Sequence, residues 1–180
     1  EQVLERFHPE TDLFVFANTS MDTLDYTGRR LNHGSKAVLI GTGDPVRRLP
    51  DTYQGPELPG IRKIAPYCRG ALVMEGEAFE KDPELASRLA ERHGEALAEW
   101  PFVFLVDDIG AAAGQTPFLW TVFTRFDPAH DIYARSKPVH HHLRYRLPIV
   151  VDARMKPGYP AELEPDPEVK ALVDRRWKEY

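Results

Sequence analysis

Cysteine occurs once in the 180 residues, at Cys68, so no intrachain disulfide can form and a reducing compartment, the cytoplasm, is the expected setting. A lone thiol without a visible catalytic companion does not read as a nucleophile. Long apolar runs are missing as well. The longest, "AVLI" and "FVFLV", fall far short of the roughly 20 residues that a membrane-spanning helix needs. The opening "EQVLERFHPE" lacks the apolar core of a signal peptide, so neither membrane insertion nor signal-directed export is expected. A basic excess is absent too: the net charge of -5 argues against a surface that tracks nucleic-acid phosphates. The Arg-Arg pairs at 29–30, 47–48 and 175–176 then read as solvated surface or subunit contacts. Internal repeats, low-complexity tracts and domain boundaries are not visible. With 42% hydrophobic and 28% charged residues, the expectation is one globular domain over 1–180, long enough to bury a core without staples.

Five short runs are continuously apolar: "LFVFA" (13–17), "KAVLIG" (36–41), "GALVM" (70–74), "FVFLVDD" (102–108) and "LPIVVDA" (147–153). Runs of that length and composition predict strands buried on both faces, as in a parallel or mixed sheet covered by helices. Between the third and fourth lies "KDPELASRLAERHGEALAEW". Here Asp82 suits an N-cap, Pro83 the first helical position, and Leu85, Leu89, Leu97 and Trp100 a helical stripe, with Gly94 a local weakness. In "PDPEVKALVDRRWKEY", Asp166 and Pro167 start a second helix over 166–180, whose Val169, Leu172, Val173 and Trp177 form a stripe that must dock on its own sheet or on a neighbouring chain. The Pro- and Gly-rich stretches 49–66 and 156–167 read as extended connections. Together these predict an α/β layered domain with a mostly parallel or mixed sheet of about five strands.

Candidate chemistry collects at the ends of these runs. "GTGDP" after the second run has glycines where backbone N–H groups approach phosphate in some nucleotide sites, but it lacks a third glycine and Pro45 interrupts it, which favours a tight turn. Ser35 and Lys36, adjacent on an extended segment, point to opposite faces and do not suggest a nucleophilic pair. Asp107 and Asp108 end a strand, where carboxylates hold metal or phosphoryl groups or simply cap the next turn. The following "IGAAAGQ" supplies no second ligand, which favours capping. His140, His141 and His142 are metal-like in composition, with His140 and His142 on one face of an extended segment. With no nearby Cys or carboxylate, an ordinary polar connection is favoured and chelation stays open.

The run "FVFLVDDIGAAAGQTPFLWTVFTRFDPAHDI" resembles the C-terminal domain of the UbiD family of decarboxylases. That family carries an apolar strand, Val-Asp-Asp, then a Leu/Ile-Trp-x-x-x-x-Thr-Arg-x-Asp-Pro-x-x-Asp helix and turn. The matching positions are Val106, Asp107 and Asp108, then Leu119, Trp120, Thr124, Arg125, Asp127, Pro128 and Asp131. "LPIVVDARMKPGYPAELEPDPEVKALVDRRWKEY" is similar to the family's C-terminal end, and "SMDTLDYTGRRLNHGSKAVLIGTGDPVRRLP" to members associated with phenol and phenylphosphate carboxylation, so the resemblance covers nearly all 180 residues. Ile109 and Gly110 stand where a third acidic residue is common in the family. The resemblance implies that prenylated FMN, a divalent metal, potassium and the catalytic Arg-Glu-Glu set lie in a region preceding this domain, and none of those motifs occurs here.

The expectation is therefore a small subunit or C-terminal fragment of a UbiD-type decarboxylase or carboxylase acting on aromatic or unsaturated carboxylic acids. It would hold no catalytic, cofactor or metal residue of its own. Its partner would be a larger catalytic subunit or its own preceding region, in a homo- or hetero-oligomer. Asp107, Asp108, Trp120, Arg125, Asp127, Asp131 and Trp177 are the structural or interface candidates, with Arg125 and Asp127 as an ion pair or turn lock and Trp177 as an interface anchor. In this reading the 20–45 stretch packs the fold and walls a cavity. The alternative is a stand-alone binding module holding a small anion or nucleotide at Gly41, Gly43, Asp107 and Asp108. A self-contained hydrolase is disfavoured, because spacing suggests no Ser-His-Asp set.

Overall fold

The computed structural model describes residues 1–28, 30–160 and 166–179. Arg29, the middle of the 156–167 connection and Tyr180 lie outside them. In chain order the elements are α1 (Gln2–Arg6), β1 (Leu13–Ser20), β2 (His33–Leu39), β3 (Ile61–Cys68), β4 (Ala71–Gly76), α2 (Leu85–Arg92) and β5 (Phe102–Val106). There follow α3 (Gln115–Phe123), α4 (Pro128–Asp131), β6 (Ile132–Tyr133), β7 (Ser136–Val139), β8 (His142–Tyr145), β9 (Ile149–Asp152) and α5 (Pro167–Arg176). No helix among the described residues is long and apolar enough to cross a membrane.

The main sheet has five strands in the order β3-β4-β5-β9-β6, with β4, β5 and β9 parallel and antiparallel strands at both edges, which makes it mixed. Every residue of β4 and β9 is buried, as continuous apolar runs covered on both faces must be. Side chains alternate between two cores with the period of the pleat. Leu72, Met74, Val103, Leu105 and Val150 face Leu85, Leu89 and the loop residues Leu97 and Trp100. On the other side Val73, Phe102, Val106 and Val151 face Phe118 and Val122 of α3 together with Phe7 and Leu13. Each such side chain, fully buried, is worth about 1.5–3 kcal/mol, so the two cores hold the layers together.

Three expectations are corrected. The runs at 13–17 and 36–41 do not join the main sheet. They pair with each other as an antiparallel two-stranded sheet, β1 with β2, and much of that ribbon is exposed. The sheet reaches five strands instead through β6 and through β3, most of which falls in the stretch 49–66 read as a connection. The Arg62, Lys63 and Pro66 of β3 suit an edge strand, where one side of the backbone needs no partner. The long helix predicted from Asp82 to Trp100 spans only Leu85–Arg92, with Glu84 at the N-cap position and the Asp82 carboxylate paired with Arg88 ahead of it. Past its end the chain turns so tightly that a Cβ added at Gly94 would lie 2.6 Å from the Ala90 carbonyl oxygen, and Leu97 and Trp100 enter the core from a loop.

Beyond β9 the polypeptide carries Asp152, Arg154 and Lys156 straight out of the buried strand. Asp152 and Arg154 have no exposed side-chain surface. Arg154 Nε and Nη2 donate to the two carboxylate oxygens at 2.9 and 2.7 Å, and Nη1 donates to the carbonyls of Glu77 and Asp82 at 2.8 and 2.9 Å. Replacing Arg154 with Met strands the Asp152 charge in the interior. The expected loss is about 3–5 kcal/mol of unfolding free energy, read from the urea midpoint, and a loss below about 1 kcal/mol would show that the pair contributes nothing net.

Candidate functional site

The carboxyl ends of the parallel strands β4, β5 and β9 carry Glu75, Asp107, Asp108 and Asp152, the position where open α/β sheets place ligand-facing groups. Here each carboxylate is occupied from within the fold. Glu75 accepts from the Ile109 N–H at 3.1 Å and from Arg62 and Lys63 at 3.0 and 3.3 Å. The Ile109 N–H, reinforced by those two cations, holds the Glu75 carboxyl below its ordinary pKa. Asp108 accepts from the Gly110 N–H at 2.8 Å and caps the short 3-10 turn over Ile109–Ala113. Asp107 accepts from the Met155 N–H at 2.6 Å and pairs with Arg125 Nη1 at 3.3 Å.

The expected Arg125–Asp127 ion pair is therefore redrawn. Arg125 reaches back to Asp107, while Asp127, nearly fully buried, takes other partners. One Asp127 oxygen accepts from the Ser35 hydroxyl, which itself accepts from the Ala129 N–H at 2.8 Å. The other lies 2.6 Å from Nδ1 of His130; a carboxylate only accepts, so it selects the Nδ1–H tautomer. The Asp127 N–H donates to Asp131 at 2.7 Å, and Asp131 also meets Lys156 Nζ at 3.2 Å. Burial pushes the Asp131 carboxyl up, against the pull of Lys156. Lys156 finishes the knot by donating to the carbonyls of Arg125 and Asp152 at 2.9 and 2.7 Å.

Against this lock lies a cavity of 540 Å³ between the β1–β2 ribbon and the sheet. Tyr67 stacks on Phe118 with ring centres 3.8 Å apart, and Phe104 meets Phe118 edge-on at 4.9 Å. The 20–45 stretch supplies the facing wall through Met21, Thr27, Ser35, Ala37 and Leu39, with Lys36 also at the cavity and largely exposed. A space of this size with apolar walls and few polar groups has the character of a small-molecule pocket. The Ser35–Asp127–His130 chain does not form a nucleophile–base pair, because the carboxylate, not the imidazole, contacts the hydroxyl.

The remaining candidates point elsewhere. Trp120 and Trp177 are 62% and 71% exposed, on α3 and just beyond α5. His140 and His141 form the turn between β7 and β8, where His140 takes a positive φ of 54°, while His142 lies against Phe14 with ring centres 5.1 Å apart. That turn breaks the extended alternation expected to put His140 and His142 on one face. No three His, Cys, Asp or Glu side chains among the described residues gather to hold a metal. Gly41 and Gly43 follow the separate ribbon and approach α1, Gly41 against Val3 and the Gly43 carbonyl against Arg6. The four residues of the alternative anion site thus do not share one sheet edge. Arg47 is a structural donor to the Leu4 carbonyl at 2.7 Å rather than solvated surface. Ser35, Glu75, Asp152, Arg154 and Lys156 were not among the expected site residues. For Glu75 and Asp152 the signal is a charge near the end of a buried strand, which must find a partner, whereas Ser35, on the largely exposed β2, and Arg154 and Lys156, beyond β9, carry no such local mark.

Residues 1–41 match the family model described as the 3-octaprenyl-4-hydroxybenzoate carboxy-lyase C-terminal domain. The whole chain aligns at 43% identity with a Chlamydia pneumoniae protein named as a subunit of 4-hydroxybenzoate decarboxylase, covering 30% of it. It also aligns at 43% identity with an uncharacterized protein of Chlamydia trachomatis, covering 31%. The chain thus spans about three-tenths of the length of these curated relatives. Among solved structures, the vanillic acid decarboxylase of Sedimentibacter hydroxybenzoicus in its open form shares 16% identity over 62% of this chain and 26% of that one. The TM-score of 0.37 is too low to carry an argument. The family model covers the first ribbon, and Asp107 to Asp131 lie outside its match.

Two outcomes test the lock. Ser35→Ala leaves a buried Asp127 oxygen and the Ala129 N–H without their shared partner, and should cost about 1–3 kcal/mol in denaturant unfolding. Because its folded pKa is lowered, Glu75 adds stability above its unfolded pKa that is lost as pH falls through the folded value. Glu75→Gln should flatten the acid limb of the melting temperature against pH; an unchanged limb would mean that the Ile109 contact is not made.

Proposed function

Starting from its kinship with the C-terminal region of UbiD-type decarboxylases, we propose that this chain is the assembly and cavity-shaping part of a decarboxylase or carboxylase acting on aromatic acids, phenolic ones in particular. The observation that carries the reading is the alignment of all of its residues with about three-tenths of a protein named as a decarboxylase subunit. The flavin site, with prenylated FMN, a divalent metal and potassium, belongs to a larger catalytic partner or to a preceding region of the same polypeptide. Bound there, the prenylated flavin supplies an electron sink for CO₂ loss or addition. This chain's own residues keep the carboxyl edge of the sheet rigid and exclude water from the aromatic cavity. The 180 residues act as one folding unit in the cytoplasm, with α5 as its outward arm.

Exposed apolar surface supports assembly. α3 turns Phe118 and Val122 inward, yet Leu119, Trp120 and Phe123 remain 43%, 62% and 62% exposed, and a helix apolar on all sides is ordinarily covered. On and just beyond α5, Val169, Leu172, Val173 and Trp177 are all exposed, so this helix does not dock on its own sheet. Patches of this kind mark interaction surfaces, and Trp is the residue type most often dominant in them.

Native mass spectrometry of the chain recovered anaerobically from its own cells tests the reading. A larger companion with a flavin-sized mass is expected, and a flavin-free assembly of this chain alone would overturn it. Trp177→Ala should weaken the assembly at least tenfold; an unchanged oligomer mass on dilution removes Trp177 as an anchor.

A further inference from the structure

The β7–β8 ribbon concentrates positive charge in a chain whose net charge is -5. Lys137 lies directly opposite Arg144 in the register, and the Arg146 N–H donates to the Arg135 carbonyl at 2.8 Å, which extends the ladder by one rung. Alternation along each strand then puts Arg135, Lys137, Arg144 and Arg146 on one face. All four line a single hollow of 220 Å³ with Glu10, Ser136 and Tyr145. Like charges placed opposite each other on a ribbon repel, so this arrangement carries a standing penalty unless an anion relieves it.

The protein's own carboxylates relieve little of it. Glu10 reaches Arg144 at 3.1 Å, and Glu95, 93% exposed, lies 3.9 Å from Arg135. Among the described residues neither Lys137 nor Arg146 has a carboxylate partner, and the buried Nε of Arg135 has no acceptor. The Arg135 guanidinium packs close to Gly94, where an added Cβ would stand 3.2 Å from Nη2 and 3.4 Å from Nε.

We propose that this hollow binds the phosphoryl group of a small molecule. A tetrahedral dianion offers several acceptor oxygens to the Arg135 and Arg146 forks and to the Lys137 ammonium, the pairing for which guanidinium geometry is best suited. The hollow is smaller than the roughly 300–1,000 Å³ of pockets that enclose a whole drug-sized ligand, so it grips a charged end group rather than a complete molecule. The site is separate from the aromatic cavity and independent of the proposed decarboxylase role.

Titration of inorganic pyrophosphate into the full chain at low ionic strength, followed by calorimetry and thermal melting, tests the site. Potassium chloride at matched ionic strength is the control. The expected result is binding that raises the melting temperature and weakens at least tenfold in the Lys137→Gln, Arg146→Gln double variant. Both side chains are exposed, so the unliganded variant should melt at the same temperature or higher as repulsion is relieved. A response no greater than that to potassium chloride would overturn the proposal and point to an acidic protein segment as the ribbon's partner. Binding by the double variant within twofold of the parent would overturn it as well.

Discussion

Three charges leaving a buried strand set the terms for everything around them. Asp152, Arg154 and Lys156 emerge from β9 into the interior, where an unpaired ion costs several kcal/mol. The chain meets that cost by drawing other segments in. Arg154 collects the carbonyls of the 77–82 loop that leads into α2, with Phe79 beneath its guanidinium. Lys156 collects the end of α3 through the Arg125 carbonyl and α4 through Asp131. Between them the Met155 N–H engages Asp107 at the end of β5. One five-residue stretch thus joins the connections after β4, β5 and α3 to the last residue of α4.

The same lock decides the shape of the cavity. The β1–β2 ribbon is not hydrogen-bonded to the main sheet, so its position depends on side-chain ties and packing. Ser35 ties β2 to the start of α4 through Asp127 and Ala129, and the Tyr159 hydroxyl donates to the Thr27 carbonyl at 3.2 Å, tying the ribbon's connecting loop to the segment after β9. Both ties lead back to the charged stretch, since Asp127 leans on Asp131 and the Tyr159 ring lies 5.7 Å from Lys156. A buried electrostatic network therefore sets the spacing between an exposed ribbon and an aromatic wall.

What could be read in the sequence follows from how local each signal is. Continuous apolar runs in β4, β5 and β9 mark buried parallel strands because covering both faces leaves no room for alternation. Asp108 as a cap is legible because it depends on only a few neighbouring residues. The ribbon at 13–17 and 36–41 was misplaced because an apolar run states that a strand is wanted, not which strand it meets. β3 is hard to read because an edge strand tolerates Pro and charge and so resembles a loop. The partner of Arg125 is hidden for a related reason: Asp127 is two residues away in the chain, whereas Asp107 is brought near only by the fold.

The motif that carries the family resemblance divides into two sets of residues with opposite physical demands. Asp107, Asp127 and Asp131 turn inward, where each accepts main-chain N–H or side-chain donors that the fold must supply. Trp120 turns outward, and its exposed ring has no stabilising burial within the described residues. An inward carboxylate is explained by the folding of this chain alone, because removing it would strand its donors. An outward tryptophan beside Leu119 and Phe123 is not, because apolar area left in water contributes nothing to folding and costs solubility. The inward set accounts for a rigid sheet edge, and the outward set is the part of the motif that folding leaves unexplained and that assembly would put to use.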